Sequence, residues 1–273
     1  MSRAATQPRG RIGGRFQGMA LPVYAALALA FLQIPVIIVV LASFTTTSFL
    51  TVPPRGFTLD WYVRVLNDPS YIRAITFSLQ LAVAATFFSL VVGTAAAYAL
   101  VRRKVPGSDL IATILMAPLV FPAVVIAVAL LQFYTLVGVR GTFGAIVAAH
   151  VLITIPYVVR SVLASLGGAD PTLEDAARTL GASSWNAFRK VTLPLIRPGL
   201  VAGGIFSFIV SFDNVPVSIF LVGIRQQTLP VKIFTAVEHG VDPGVAAIST
   251  LLIITTGLGL VLAERWVGFH RFA

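Results

Sequence analysis

The sequence predicts an all-α polytopic membrane protein with six transmembrane helices and a cytoplasmic helix between spans four and five. Three observations lead there. Hydrophobic residues make up 57% of the chain and charged residues only 11%, whereas about a quarter of a soluble domain is charged. Six stretches are long enough to cross a hydrocarbon core of about 30 Å, which at about 1.5 Å per residue takes about 20 apolar residues. The alternating apolar/polar pattern of a transmembrane barrel is absent, so helices are the means of satisfying the backbone in lipid.

The six stretches are 21–43, 74–101, 110–139, 141–159, 199–224 and 245–263, and Asp213 is their only charged residue, apart from the basic link at Arg140. The first follows Arg3, Arg9, Arg11 and Arg15, as a secretory signal would. Its apolar run is too long for a signal core and no small-residue cleavage site follows cleanly, so it is expected to stay as an anchor. This divides the chain into a basic tail over 1–20, a six-span domain over 21–264 and a second tail over 265–273.

Orientation follows from the basic residues near the spans. With the N-terminus inside, fourteen lie on the cytoplasmic side: Arg3, Arg9, Arg11, Arg15, Arg102, Arg103, Lys104, Arg160, Arg178, Arg189, Lys190, Arg197, Arg265 and Arg271. Six lie outside: Arg55, Arg64, Arg73, Arg140, Arg225 and Lys232. Both termini are therefore expected in the cytoplasm. The net charge of +10 is explained by this topology, and no nucleic-acid partner is expected.

Chemistry is expected elsewhere than in this chain. There is no cysteine, which removes thiol catalysis, thiolate metal sites and disulfides. His150, His239 and His270 form no ligand spacing. His150 falls in a span, where it is open to two readings, a proton relay or a neutral histidine bonded to a neighbouring helix. No GxxxxGK[ST] loop is present, so if transport is driven by ATP the ATPase is another polypeptide. No catalytic residue, metal site or cofactor is assigned here, and the chain is not expected to be an enzyme.

The loop over 170–197 carries the strongest signal. Asp170 suits an N-cap and Pro171 the first helical position. Leu173, Ala176, Ala177 and Leu180 fall at helical spacing on one side, with Glu174, Asp175 and Arg178 on the polar remainder. Gly181 sits where a C-terminal cap belongs. Ser183 or Ser184 can cap a second helix carrying Trp185, Phe188 and Val191, with Leu193 before the Pro194 that is expected to close it. Small residues let a helix backbone seat deep in a partner's groove. A helix resting on the bilayer interface is the other reading.

Asp175-Ala176-Ala177, Gly181 four residues later and Val191-x-Leu193-Pro194 resemble the EAA loop of inner-membrane permease subunits of binding-protein-dependent ABC transporters. That family reads E-A-A-x-x-x-G, nine residues, then I-x-L-P. Here Asp175 stands for the glutamate, with Glu174 directly before it. The segments 56–62 (GFTLDWY) and 95–102 (AAAYALVR) are similar to the family's first outer segment and the end of its second span. Ser211-Phe212-Asp213-Asn214 and 228–233 (TLPVKI) resemble the branch that moves spermidine and putrescine, and the chain looks like that branch's C-type partner.

The resemblance implies a type I importer in the bacterial inner membrane. Its parts would be a second permease, paired as a heterodimer, two cytoplasmic ATPases carrying ATP and Mg, and a periplasmic solute-binding protein. The loop contacts over 170–194 would couple ATP-driven closure to rocking of the spans. Polyamines or a related amine-bearing solute would be the cargo, with iron, thiamine, a phosphonate or an opine as alternatives. A secondary transporter is the rival class. The single intramembrane charge and the coupling-type loop stand against it, since proton- or ion-driven carriers often show repeats and several ionisable residues.

Within the spans Asp213 is the sharpest candidate, because a buried charge at a span centre costs about 2.5–3.5 kcal/mol on insertion scales unless it faces a cavity or has a partner. Ser211, Asn214 and Ser218 make that side polar, and Pro216 frees backbone carbonyls. The group is read either as a cationic-cargo contact or as a structural aspartate. Pro35, Pro118, Pro122 and Pro156 can kink their spans. The run 93–97 (GTAAA) suits close helix packing. Glu238, His239 and Asp242 lie in the last outer segment, as a solvated loop or a binding-protein contact.

Overall fold

The computed structural model describes residues 13–102, 105–223, 226–240 and 242–267, with side chains from 21 onward except at 260, 262–264 and 266–267. Arg3, Arg9, Arg11, the Arg15 side chain, Arg103, Lys104, Arg225, His270 and Arg271, which enter the charge count and the tails, lie outside the described residues.

The elements are helical in order: α1 Gly13–Ala42, α2 Asp60–Asn67, α3 Pro69–Arg102, α4 Ser108–Met116, a 3-10 turn Ala117–Leu119, α5 Ala123–Leu136, α6 Phe143–Gly167, α7 Thr172–Thr179 and α8 Ser184–Ala187. A π turn Phe188–Thr192, α9 Leu193–Leu195, α10 Arg197–Phe212, α11 Val215–Leu221, α12 Leu229–His239 and α13 Pro243–Val267 follow. No strand occurs among the described residues. Leu21–Ala42, Pro69–Arg102 and Phe143–Gly167 are each long and apolar enough to cross a bilayer. So are two bent pairs, Ser108–Leu119 with Ala123–Leu136 and Ser184–Leu195 with Arg197–Phe212. Pro243–Gly259 is apolar but shorter.

Proline explains where the helices depart from straight spans. The expected third span turns by 102° between its halves. Pro118 lies in the 3-10 turn, and Pro122 takes extended backbone (φ −57°, ψ 129°) just before α5. Neither ring can donate to a helical carbonyl. The expected fifth span is broken at Asp213 and Asn214, where the Asn214 side chain accepts from the Val217 amide at 2.8 Å and starts α11 with Pro216 in its first turn. Pro35 and Pro156, by contrast, sit inside continuous helices.

One compact unit is drawn from Met1–Arg64 and Val241–Ile254. Its α1 is apolar along the described part and almost wholly exposed, as with Leu21 at 74% and Phe31 at 70%. Such a surface is stable only against lipid or another chain. Beyond α1, Trp61 Nε1 donates to the Thr45 carbonyl at 2.9 Å, Ser43 and Tyr62 hydroxyls lie 2.5 Å apart, and Arg64 stacks over the Trp61 ring.

The other unit is drawn from Val65–Gly240 and Thr255–Ala273. Its centre is α3, α6 and α10 packed on one another, and small residues set their spacing. A β-carbon at Gly93 of α3 would stand 2.9 Å from Val158 Cγ1 of α6, and one at Gly203 of α10 would stand 2.9 Å from the Val158 α-carbon. Ser89 and Thr154 hydroxyls bond across α3 and α6 at 2.7 Å. Val158, Val159, Val162, Leu166, Ala97 and Ile196 form the apolar core at one end of this trio. Elsewhere in this unit α12 is tied to α3, where Ser78 Oγ accepts from the Leu229 amide at 2.7 Å and Lys232 Nζ donates to Ser70 Oγ at 2.8 Å.

Candidate coupling loop and pathway residues

The loop is a helix, a sharp bend and a second helix. Asp170 Oδ1 accepts from the Thr172 amide at 2.9 Å and from its hydroxyl at 2.8 Å. The backbone of Pro171 is already helical in its torsions (φ −63°, ψ −27°), yet it occupies the cap position. The start of α7 is thus one residue later than the spacing suggested.

At its other end α7 stops in a Schellman arrangement. The Gly181 amide donates to the Arg178 carbonyl at 2.9 Å and the Ala182 amide to the Ala177 carbonyl at 3.0 Å. This needs left-handed backbone at Gly181, whose φ is +90° and where any side chain would be strained. Ser183 Oγ then accepts from the Asn186 amide at 3.3 Å and caps α8.

Pro194 does not close the second helix, contrary to expectation. The Leu193 amide reaches back five residues to the Phe188 carbonyl, so the widened π turn absorbs the hydrogen bond that proline cannot make. The chain turns by 70° only at Ile196, a fully buried core residue, before running into α10.

Burial on α7 is the reverse of what the apolar periodicity suggests. Glu174 is the buried residue, at 5% exposure, whereas Leu173 is 47% and Leu180 89% exposed. The Glu174 carboxylate accepts from three side chains: Tyr98 at 2.5 Å, Arg178 at 2.7 Å and Thr192 at 2.9 Å. Burial pushes its pKa up. The hydrogen bonds from Tyr98 and Thr192 and the charges of Arg178 and Arg102 outweigh burial and hold it below the ordinary glutamate value, so it is ionised at neutral pH. Arg102 also donates to the Ala169 carbonyl at 3.4 Å.

One carboxylate therefore fastens α7 to the end of α3 through Tyr98 and to the second loop helix through Thr192. Phe188 closes the joint, edge-on to Tyr98 at 5.1 Å between ring centres and stacked on Trp185 at 5.8 Å. Asp175 points away and is exposed, as are Ala176, Gly181, Trp185 and Pro194, while Ala177, Phe188, Val191 and Leu193 are half-buried. The outward side of the loop presents Leu173, Ala176, Leu180 and Trp185. Tyr98, Arg102 and Thr192 are the members that sequence reasoning missed. Tyr98 lies within the 95–102 segment it singled out, but a bond spanning 76 positions leaves no local pattern.

The four pathway candidates separate into two kinds. Asp213 ends α10 and is exposed, its carboxylate without a hydrogen-bond partner among the described residues, and Asn214 beside it is half-buried. Ser211 and Ser218 are buried and turn to the ring of His150, at 2.9 and 3.2 Å. No group of three or more histidine or acidic side chains that could hold a metal occurs among the described residues.

Long apolar helices with exposed apolar faces, packed at glycine contacts and joined by a polar helical loop, define an all-α polytopic membrane protein. Residues 89–270 match the family described as the binding-protein-dependent transport system inner membrane component. The chain is 35% identical over 238 residues to the spermidine/putrescine transport system permease protein PotC of Escherichia coli (strain K12), covering 87% of this chain and 89% of that protein. It is 32% identical over 243 residues to the putrescine transport system permease protein PotI of the same organism, covering 86% of each. Its fold is shared with a chain in the crystal structure of a bacterial ABC transporter involved in the import of the acidic polysaccharide alginate, with a TM-score of 0.76, 17% identity and coverage of 95% and 99%. The chain belongs to the inner-membrane component family and is a membrane-located permease of a binding-protein-dependent ABC importer.

Proposed function

We propose that this permease forms half of the translocation pathway for polyamines or a related small amine-bearing solute, and that its 170–197 loop couples the pathway to a separate ATPase. The cargo half is supported by the identity to two polyamine permeases over most of the chain and by the exposed carboxylate of Asp213. The coupling half is supported above all by the loop's inversion: Glu174 is spent inward on α3 and the second loop helix, leaving Leu173, Ala176, Leu180 and Trp185 outward. Those small and apolar side chains suit a groove on a protein partner. The partner set is a second permease in a heterodimer, two ATPases that bind ATP and Mg, and a periplasmic solute-binding protein. A push on the loop would reach α3 through Tyr98 and α10 through Thr192 and Ile196, biasing a two-state equilibrium of the spans.

The topology that goes with this reading has six spans, with α4 and α5 together making the third and α13 the sixth. The tails 1–20 and 265–273 and the loop lie in the cytoplasm, around a span domain over 21–264. A single cysteine at Ser183 is expected to react only with reagents that cross the inner membrane, and one at Thr58 with impermeant reagents added outside. Labelling of Ser183→Cys by an impermeant maleimide on intact spheroplasts would overturn the orientation.

Asp213→Asn tests the cargo contact. The substitution keeps size and hydrogen bonding and removes only charge. With charge-assisted hydrogen bonds worth about 1.5–3 kcal/mol, putrescine or spermidine uptake is expected to fall about tenfold at unchanged yield of assembled complex. Unchanged uptake would remove Asp213 from the pathway, and a collapsed yield would make it a structural residue.

A further inference from the structure

His150 is fully buried on α6, and its two ring nitrogens meet different hydroxyls, Nδ1 that of Ser211 and Nε2 that of Ser218. Ser211 stands in the last turn of α10 and Ser218 within α11. The two hydroxyls thus lie on opposite sides of the break at Asp213 and Asn214. A neutral imidazole offers one donor and one acceptor, and a hydroxyl can serve as either, so both bonds form without charging the ring.

Ile146, Ala149, Ile153, Val217 and Leu221 make the surrounding core apolar. In such a setting an unpaired polar group is costly, which favours keeping both bonds together. Thr154 Oγ1 donates to the His150 carbonyl at 2.7 Å and contacts Ser89 Oγ, which extends the polar line to α3.

We infer that His150 is a positioning residue: by holding the helix ends on both sides of the break, it fixes the angle between α10 and α11 and with it the place of Asp213 along the pathway. The break alone does not set that angle, because Asn214 caps only α11 and Asp213 lies between the two helices. The consequence for transport rests on Asp213 being a cargo contact. The consequence for geometry does not.

The native chain has no cysteine, so single cysteines at 207, buried on α10, and at 213, exposed beyond its end, report accessibility in the whole importer reconstituted in vesicles. With His150 in place, reactivity toward a methanethiosulfonate reagent is expected to be high at 213 and low at 207. In His150→Phe, and in the Ser211→Ala/Ser218→Ala pair that adds no bulk, the contrast between the two positions is expected to fall about fivefold, the scale of one or two lost buried hydrogen bonds. Polyamine uptake by His150→Phe is expected to fall about fivefold in the native background and no further when combined with Asp213→Asn.

An unchanged cysteine profile in both variants overturns the bracing. The same fold-loss of uptake in the Asp213→Asn background also overturns the proposal, because it shows a packing defect that does not act through Asp213. If Asp213→Asn by itself leaves uptake unchanged, the cargo contact fails, and the cysteine profile still decides whether His150 braces the break. Where His150→Phe gives too little protein, the paired serine variant carries both comparisons.

Discussion

Gly203→Leu is expected to abolish assembled permease. A β-carbon at Gly203 would stand 2.9 Å from the Val158 α-carbon and 3.4 Å from Ser161 Cβ, and one at nearby Gly199 would run into the Ser161 carbonyl oxygen. These contacts are with the backbone of α6 or with atoms close to it, so rotation of a flexible side chain cannot relieve them. Overpacking an ordinary core costs about 1–3 kcal/mol. Here the whole of α10 would have to move off α6, and α3 packs on both. The expected result is little or no folded chain in the membrane fraction and no uptake. Gly204→Ala is the control, because its new methyl would meet only the end of the Leu90 side chain, at 3.4 Å. Normal abundance and an unchanged unfolding temperature for Gly203→Leu would show that the α6–α10 contact is not as close as described.

The second large effect is expected at Glu174. Removing one partner of a buried, hydrogen-bonded charge cluster costs about 3–5 kcal/mol. The lower end applies, because Arg178 is about one-third exposed. A penalty of about 3 kcal/mol corresponds to roughly a hundredfold shift toward a loosened loop. Glu174→Ala is therefore expected to keep near-normal membrane abundance, since the α3, α6 and α10 contacts are untouched, yet to lose hydrogen-exchange protection over 172–195 and most uptake. Asp175→Asn, one residue on and exposed, is expected to leave that protection unchanged. Equal protection in Glu174→Ala and the native chain would remove the clamp.

The contrast between these two acids shows what sequence could and could not reveal. Hydropathy locates the apolar helices because burial in lipid is recorded residue by residue, and the loop is legible because its bend needs Gly181 and its cap needs Ser183. The two breaks are partly legible: Pro118, Pro122 and Pro216 are visible, but whether proline kinks a helix or ends it depends on neighbours. Pro156 stays inside α6, and Pro194 is absorbed by a π turn. The roles of Glu174, Ser211 and Ser218 are not legible, because their partners are distant in sequence. Periodicity on α7 marks Leu173, Ala176 and Leu180 as a shared face but cannot say whether that face turns toward this chain's core or away from it. Tyr98 and Thr192 decide that by drawing Glu174 inward.

The outward face of α7 as the seat of an ATPase is tested most directly by site-specific photocrosslinking. A benzophenone amino acid is placed at Leu173, Leu180 or Thr58 in the assembled importer, and adducts are identified by mass. The expected result is an ATPase adduct from 173 and from 180, and none from 58. Absence of any ATPase adduct from both 173 and 180, in complexes that still hydrolyse ATP and take up cargo, would contradict it.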